Sequence, residues 1–175
     1  LSDLNRKAYL YTLKIVCDFV LTWLAPILAF TSEEAWGHLH GEADSIHLHR
    51  YFTPEAKWNN SIIYEAMNTL KILRKQINEK LELARQNKEI GSSLEAEFVI
   101  YDPQSTLTQD DISMLEELCI VSRGTLKHSG DKLSISINKF KGHKCERCWK
   151  FFDEDEGELC CRCKKVLNSL KVSNL

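Results

Sequence analysis

Residues 144–163 read KCERCWKFFDEDEGELCCRC. Two Cys-x-x-Cys pairs stand in this stretch, Cys145 with Cys148 and Cys160 with Cys163, separated by eleven residues. A two-residue gap lets both thiolates of a pair point inward from one tight turn. Two such turns facing each other make the tetrahedral four-sulfur cage that zinc prefers, with Zn–S of about 2.3 Å. The spacing predicts a closed structural site for one Zn2+ per chain, a metal that folds the segment and does no chemistry.

Other readings of the cysteines are weaker. A disulfide framework suits small secreted domains, but seven cysteines are an odd count and the first residues show no signal-peptide pattern. A thioredoxin-like site wants one pair beside a βαβ pattern. Cys161 breaks the two-residue spacing and reads as a bystander. His143 lies only two residues before Cys145, and four thiolates already fill the cage. Cys17 and Cys119 sit in apolar runs and read as small buried hydrophobes.

Upstream, Lys139, Lys141, Lys144, Arg147 and Lys150 form a basic run broken only by Glu146. Between the pairs, Asp153, Glu154, Asp155, Glu156 and Glu158 form an acidic stretch that repels phosphate. Before the basic run, residues 90–138 read as a small α/β module. Glu95–Tyr101 is expected as a strand ended by Asp102 and Pro103, and Thr108–Leu118 as a helix with acidic residues in its first turn. Cys119–Ser122 and Leu133–Ile137 are expected as further strands.

The longest predicted element runs from about Ser61 to Asn87. Ile63, Met67, Leu70, Leu73, Ile77, Leu81 and Ala84 keep helical spacing, and Lys71, Arg74, Lys75, Lys80, Arg85 and Lys88 make its other face locally basic. Residues 4–25 predict a helix with an apolar stripe of Leu10, Leu13, Cys17, Val20 and Leu24, stopped near Pro26. Thr31 and Glu34 suggest a capping box for the next helix, with Phe30 as staple partner and Gly41 as its end. Ala35, Trp36 and Leu39 are expected to face the core, and residues 45–53 to form an extended crossing. Trp23 and Trp58 are assigned to packing.

The chain has 175 residues, 43% hydrophobic and 27% charged, with a formal net charge of −2. That composition fits one to two globular domains and excludes a uniformly basic nucleic-acid binder. No apolar run approaches the roughly 20 residues that span a bilayer. There is no repeat, low-complexity tract or Gly-rich phosphate loop. The start at Leu1, running directly into a helical pattern, suggests the tail piece of something longer.

Several segments together resemble the C-terminal part of bacterial-type isoleucyl-tRNA synthetases, which are class I enzymes. APILAFTSEEAW (Ala25–Trp36) is similar to a signature of the anticodon-binding helical domain that the valyl and leucyl relatives share. SIHLHRYF (Ser45–Phe52) resembles the stretch that follows it. LELARQNKEIGSSLEA (Leu81–Ala96) is more discriminating, and KCERCW followed by LCCRC resembles the terminal zinc motif of the isoleucyl family. Cys161 departs from the pattern, where a small residue would be expected.

The resemblance implies an α+β chain: a partial anticodon-binding bundle over residues 1–89, a junction module over 90–138 and a four-cysteine zinc knuckle or ribbon over 139–175. It implies a parent ligase that uses ATP to attach isoleucine to its tRNA in the cytoplasm, as a monomer, with catalytic and editing domains elsewhere in the same polypeptide. No HIGH-type or KMSKS-type motif is present, so this stretch is expected to position the tRNA(Ile) anticodon stem-loop without a catalytic centre. The early bundle helices are also missing, which should leave apolar surface exposed along residues 10–24.

Trp149 directly follows the second cysteine, as a stacking platform for a base or as filler for the small module. Phe151 and Phe152 read as filler. Arg147 and Arg162 sit inside the two Cys-x-x-Cys turns, free to reach phosphates or bases. Lys144 and Lys150, with Lys71, Arg74, Lys75, Arg85 and Lys88 of the long helix, are candidate phosphate contacts, which position RNA without reading it. Two other classes remain: a free-standing zinc-ribbon nucleic-acid module, and a zinc module that binds a protein partner.

Overall fold

A computed structural model describes residues 3–153 and 158–172. The chain divides into two compact units, Leu1–Asn60 and Ser61–Leu175. Glu154, Asp155 and Glu156 of the acidic stretch lie outside the described residues.

In the first unit, α1 (Asp3–Leu24) and α2 (Ala29–His40) are joined by a tight turn at Pro26. α2 begins earlier than its sequence suggests. The chain keeps turning after Pro26, with Leu28 N–H donating to Leu24 O and Ser32 N–H to Leu28 O, both at 2.8 Å. Thr31 is therefore inside the helix, no side chain caps its start, and Phe30 is 92% exposed instead of acting as a staple. Gly41 closes α2 at φ 102°, which only glycine adopts without strain. Residues 45–53 are not uniformly extended, since Ile46–Leu48 makes one 3-10 turn.

The described core of this unit is small: Ala25, Trp36 and Ile46, with Leu21 against them. Polar contacts supplement it. Buried Asp18 accepts from Lys14 Nζ at 3.0 Å and pairs with His40 Nε2 at 2.9 Å, while Trp36 Nε1 donates to Asp44 at 3.1 Å. The apolar side of α1 is open, as its sequence leads one to expect: Leu10, Leu13, Val16, Val20 and Trp23 are all exposed. Leu39 is exposed and departs from its expected place in the core, whereas Trp23 and Trp58, though partly exposed, pack their rings against Phe19 at centroid distances of 5.5 and 6.4 Å.

The second unit is built on α3 (Ser61–Gln86), whose Leu70, Leu73, Ile77, Leu81 and Ala84 form one buried stripe. A three-stranded sheet follows in the order β2-β1-β3, from β1 (Ala96–Tyr101), β2 (Arg123–Lys127) and β3 (Ser134–Lys139). β1 is central, parallel to β2 and antiparallel to β3. Parallel neighbours need a crossover, and α4 (Gln109–Cys119) supplies it. Thr108 caps α4 by accepting from Asp111 N–H, while Asp111 accepts from Thr108 N–H.

Cys119–Ser122 is not a strand. Cys119 ends α4, and Ile120 turns left-handed at φ 56° so that Val121 can enter the core. Of the two β-branched residues in this run only Val121 is buried, while Ile120 is 62% exposed. β2 then passes so close to the core that a Cβ at Gly124 would lie 2.4 Å from Phe98 Cζ.

Candidate functional site

Beyond β3 the chain makes a small hairpin, β4 (His143–Lys144) against β5 (Phe151–Phe152), with Lys144 opposite Phe151. Gly142 lets it fold back, because a Cβ there would lie 2.5 Å from both the Phe140 ring and Phe152 O. The first Cys-x-x-Cys turn forms the hairpin tip. Cys145 N–H donates to Lys150 O at 3.0 Å, and Trp149 N–H to Cys145 O at 2.9 Å. The second pair stands at the start of α5 (Cys161–Val172), a helix not among the elements expected from sequence.

All four sulfurs lie within 4.8 Å of one another, Cys148 and Cys160 at 3.7 Å. A regular tetrahedron of four sulfurs around zinc has edges of about 3.8 Å, so the widest pair would close by about 1 Å around an ion. Cys145 and Cys163 are buried, Cys148 and Cys160 half-buried. Among the described residues no other group of three or more His, Cys, Asp or Glu comes together this way. The four cysteines can hold a metal ion; Cys161 is exposed and outside the cluster.

The electrostatics suit a cation. Burial would raise the Cys145 thiol, but backbone N–H groups of Cys148, Cys160 and Arg147 outweigh it and bring Cys145 down to about 6. Burial and the neighbouring thiols push Cys148 up to about 12, and burial also raises Cys160. Four thiolates without a cation repel one another, so the cluster ionises fully only around a positive charge. Metal binding must then release protons, and affinity rises with pH.

Trp149 has φ 65°, a left-handed conformation that costs a non-glycine residue roughly 1–2 kcal/mol. The residue is 60% exposed, so it is not buried filler. Lys144 Nζ lies 5.4 Å from the ring centroid. Arg147 and Arg162 are exposed, Arg147 in the hairpin turn and Arg162 in the first turn of α5 rather than in a second tight turn. Lys150 is different: its ammonium is 3.0 Å from Glu117, and its side chain is only 25% exposed.

On α3, Lys71, Arg74 and Lys75 line one shallow exposed cleft together with Asn78, Glu79 and Glu82. Arg74 Nε donates to Leu118 O at 3.0 Å, and Arg85 bridges Glu82 and Ser93. Lys88 holds the left-handed position after the helix at φ 61°. Glu117, Ser122 and Arg123 carry no local sequence signal that marks them as partners of the hairpin, because these contacts span 29 to 33 residues.

A model of the anticodon-binding domain of tRNA ligases matches residues 2–100. The chain belongs to that family. The resemblance to isoleucine enzymes also holds over nearly the whole chain. It is 35% identical to the isoleucine–tRNA ligase of Zymomonas mobilis, over 93% of this chain and 17% of that protein. With the Gluconobacter oxydans isoleucine–tRNA ligase it is 35% identical over 96% of this chain and 18% of the relative. The Bradyrhizobium diazoefficiens ligase is 36% identical over 85% of this chain and 16% of its own length. The chain therefore spans less than a fifth of these relatives. It is mixed helix and strand, and no described helix is long and apolar enough to cross a membrane.

Proposed function

We propose that this chain is the zinc-organised, C-terminal tRNA-gripping portion of an isoleucine–tRNA ligase acting in the cytoplasm as a monomer. Residues 1–89 belong to the anticodon-binding bundle, 90–138 to a junction module and 139–175 to the zinc module. Activation of isoleucine with ATP, transfer to tRNA(Ile) and editing fall to other domains of the parent polypeptide. The single observation that carries this reading is the four-sulfur cluster beside an exposed, conformationally costly Trp149, in a chain matched to an anticodon-binding domain.

Cys145, Cys148, Cys160 and Cys163 would hold Zn2+, whose contribution is structural: it neutralises the thiolates and fixes both turns. Trp149 then offers a flat apolar face to an unstacked anticodon base, worth about 1–3 kcal/mol when stacked. Lys144, whose ammonium lies over the ring at 5.4 Å, would reach phosphate, as would the exposed Arg147 and Arg162. Lys71, Arg74, Lys75, Arg85 and Lys88 supply phosphate contacts along α3. A free-standing zinc ribbon is disfavoured, since such a module has no anticodon-binding domain before it.

The test is tRNA binding by the zinc-loaded chain, against cognate tRNA, anticodon-mutated tRNA and duplex DNA. Anticodon-dependent affinity that Trp149→Ala weakens, with folding intact, supports the reading. Equal affinity for all three overturns it. Lys71→Ala with Lys75→Ala should flatten the salt dependence of binding, and an unchanged slope would put the RNA elsewhere.

A further inference from the structure

The hairpin does not hang from the sheet by its connecting chain alone. Ser122, at the entrance to β2, donates through Oγ to Leu94 O at 2.6 Å and accepts from Phe151 N–H at 2.6 Å. Its own N–H donates to Ala96 O at 3.2 Å. One hydroxyl therefore ties the segment before β1 to β5 of the hairpin. On one side of it Lys150 pairs with Glu117 of α4. On the other, Arg123 of β2 pairs with Asp153 just past β5 and lies 4.5 Å above the Phe140 ring. Phe140 is 3% exposed and meets Phe151 edge-on, with ring centroids 6.4 Å apart.

We propose that Ser122, Glu117 and Arg123 form a docking clamp that sets the angle of the cysteine hairpin on the α/β layer, and that Lys150 belongs to this clamp and does not contact phosphate. The functional half of this inference rests on the tRNA-gripping reading above. Exposed ion pairs contribute little singly, so the half-buried Ser122 bond and the Phe140–Phe151 contact hold the hairpin, while the two ion pairs choose its orientation. Trp149 and Arg147 sit at the tip, where a small change of angle moves them most. Ser122, Glu117, Arg123 and Lys150 are thus positioning residues: they act through the placement of Trp149.

A charge swap separates clamp from phosphate contact. In the zinc-loaded full chain, residual dipolar couplings of amides in β1–β3 and in β4–β5 should fit one alignment tensor. Lys150→Glu combined with Ser122→Ala should require two tensors; a single tensor there overturns the clamp. For tRNA, Lys150→Glu should weaken binding on the order of tenfold, and adding Glu117→Lys should restore it by re-forming the pair with reversed sign. If the couplings recover in the swapped variant but the affinity stays low, Lys150 is a phosphate contact and the proposal is overturned. Trp149→Ala serves as the control on the underlying reading. Should it leave tRNA affinity unchanged, the tRNA reading fails, and the tensors alone decide the clamp.

Discussion

The α/β layer and the cysteine hairpin lie in the same compact unit and rest on opposite physics. The layer buries Ile77, Leu81, Phe98, Ile100, Ile112, Leu115 and Val121 to 1% exposure or less, and its strands run five or six residues. The hairpin has strands of two residues, half-buried phenylalanines and, at its centre, sulfur. Cohesion in the layer is spread over many side chains, so no one contact decides whether it folds. In the hairpin it rests on a few docking contacts and on whatever four cysteines able to hold a metal ion can add, because so short a segment cannot bury enough apolar surface to offset its chain entropy.

The largest effect should come from removing metal. A chelator should abolish hydrogen-exchange protection of the Cys145, Trp149 and Cys160 amides while β1 stays protected, since about 10 kcal/mol of apparent binding energy acts locally. Simultaneous loss in β1 would mean that the two regions fold as one. Next, Phe98→Ala should cost about 3–5 kcal/mol in denaturant unfolding of the layer. Gly124→Ala should cost about 1–3 kcal/mol, because its Cβ would collide with Phe98 and Ile112. Zinc affinity measured under native conditions should be unchanged in both variants; a large drop would erase the distinction. The smallest effect should be a gain: Trp149→Gly relieves the left-handed backbone and should stabilise the zinc-loaded hairpin by about 1 kcal/mol in exchange measurements, while weakening tRNA binding. No gain would show that the ring contributes to local packing.

Legibility in the sequence followed the same division. α3 was readable because 26 residues keep one apolar period, and α4 because Asp110 and Asp111 stand in its first turn, where the helix dipole favours negative charge. The clustering of the four cysteines was readable because thiolate spacing is itself the geometry. Cys119–Ser122 was misread because an apolar, β-branched pair suggests a strand even where one residue, Ile120, is the exposed left-handed cap of a helix and only the next, Val121, enters the core. The start of α2 was misread because Thr31 and Glu34 form a local signal that the turn at Pro26 overrides. Trp149 left two readings open in sequence; its exposure speaks against filler, and stacking on a base is the reading proposed above. The contacts of Ser122 had no local signature, since a serine joining segments 28 and 29 residues away looks like any other serine.

Asp18, between Lys14 and His40, has a consequence for how the first unit meets acid. Burial favours the neutral carboxylic acid, but bonds from His40 and Lys14 prevail and hold its pKa below the ordinary 3.8. Its ionised form therefore stabilises α1 against α2 fully above about pH 4, and that support vanishes as pH falls through the depressed native value. With so few apolar side chains to fall back on, the helical pair should lose its helicity before the α/β layer does in a circular-dichroism titration toward pH 2. Asp18→Asn should make that transition flatter and less dependent on pH.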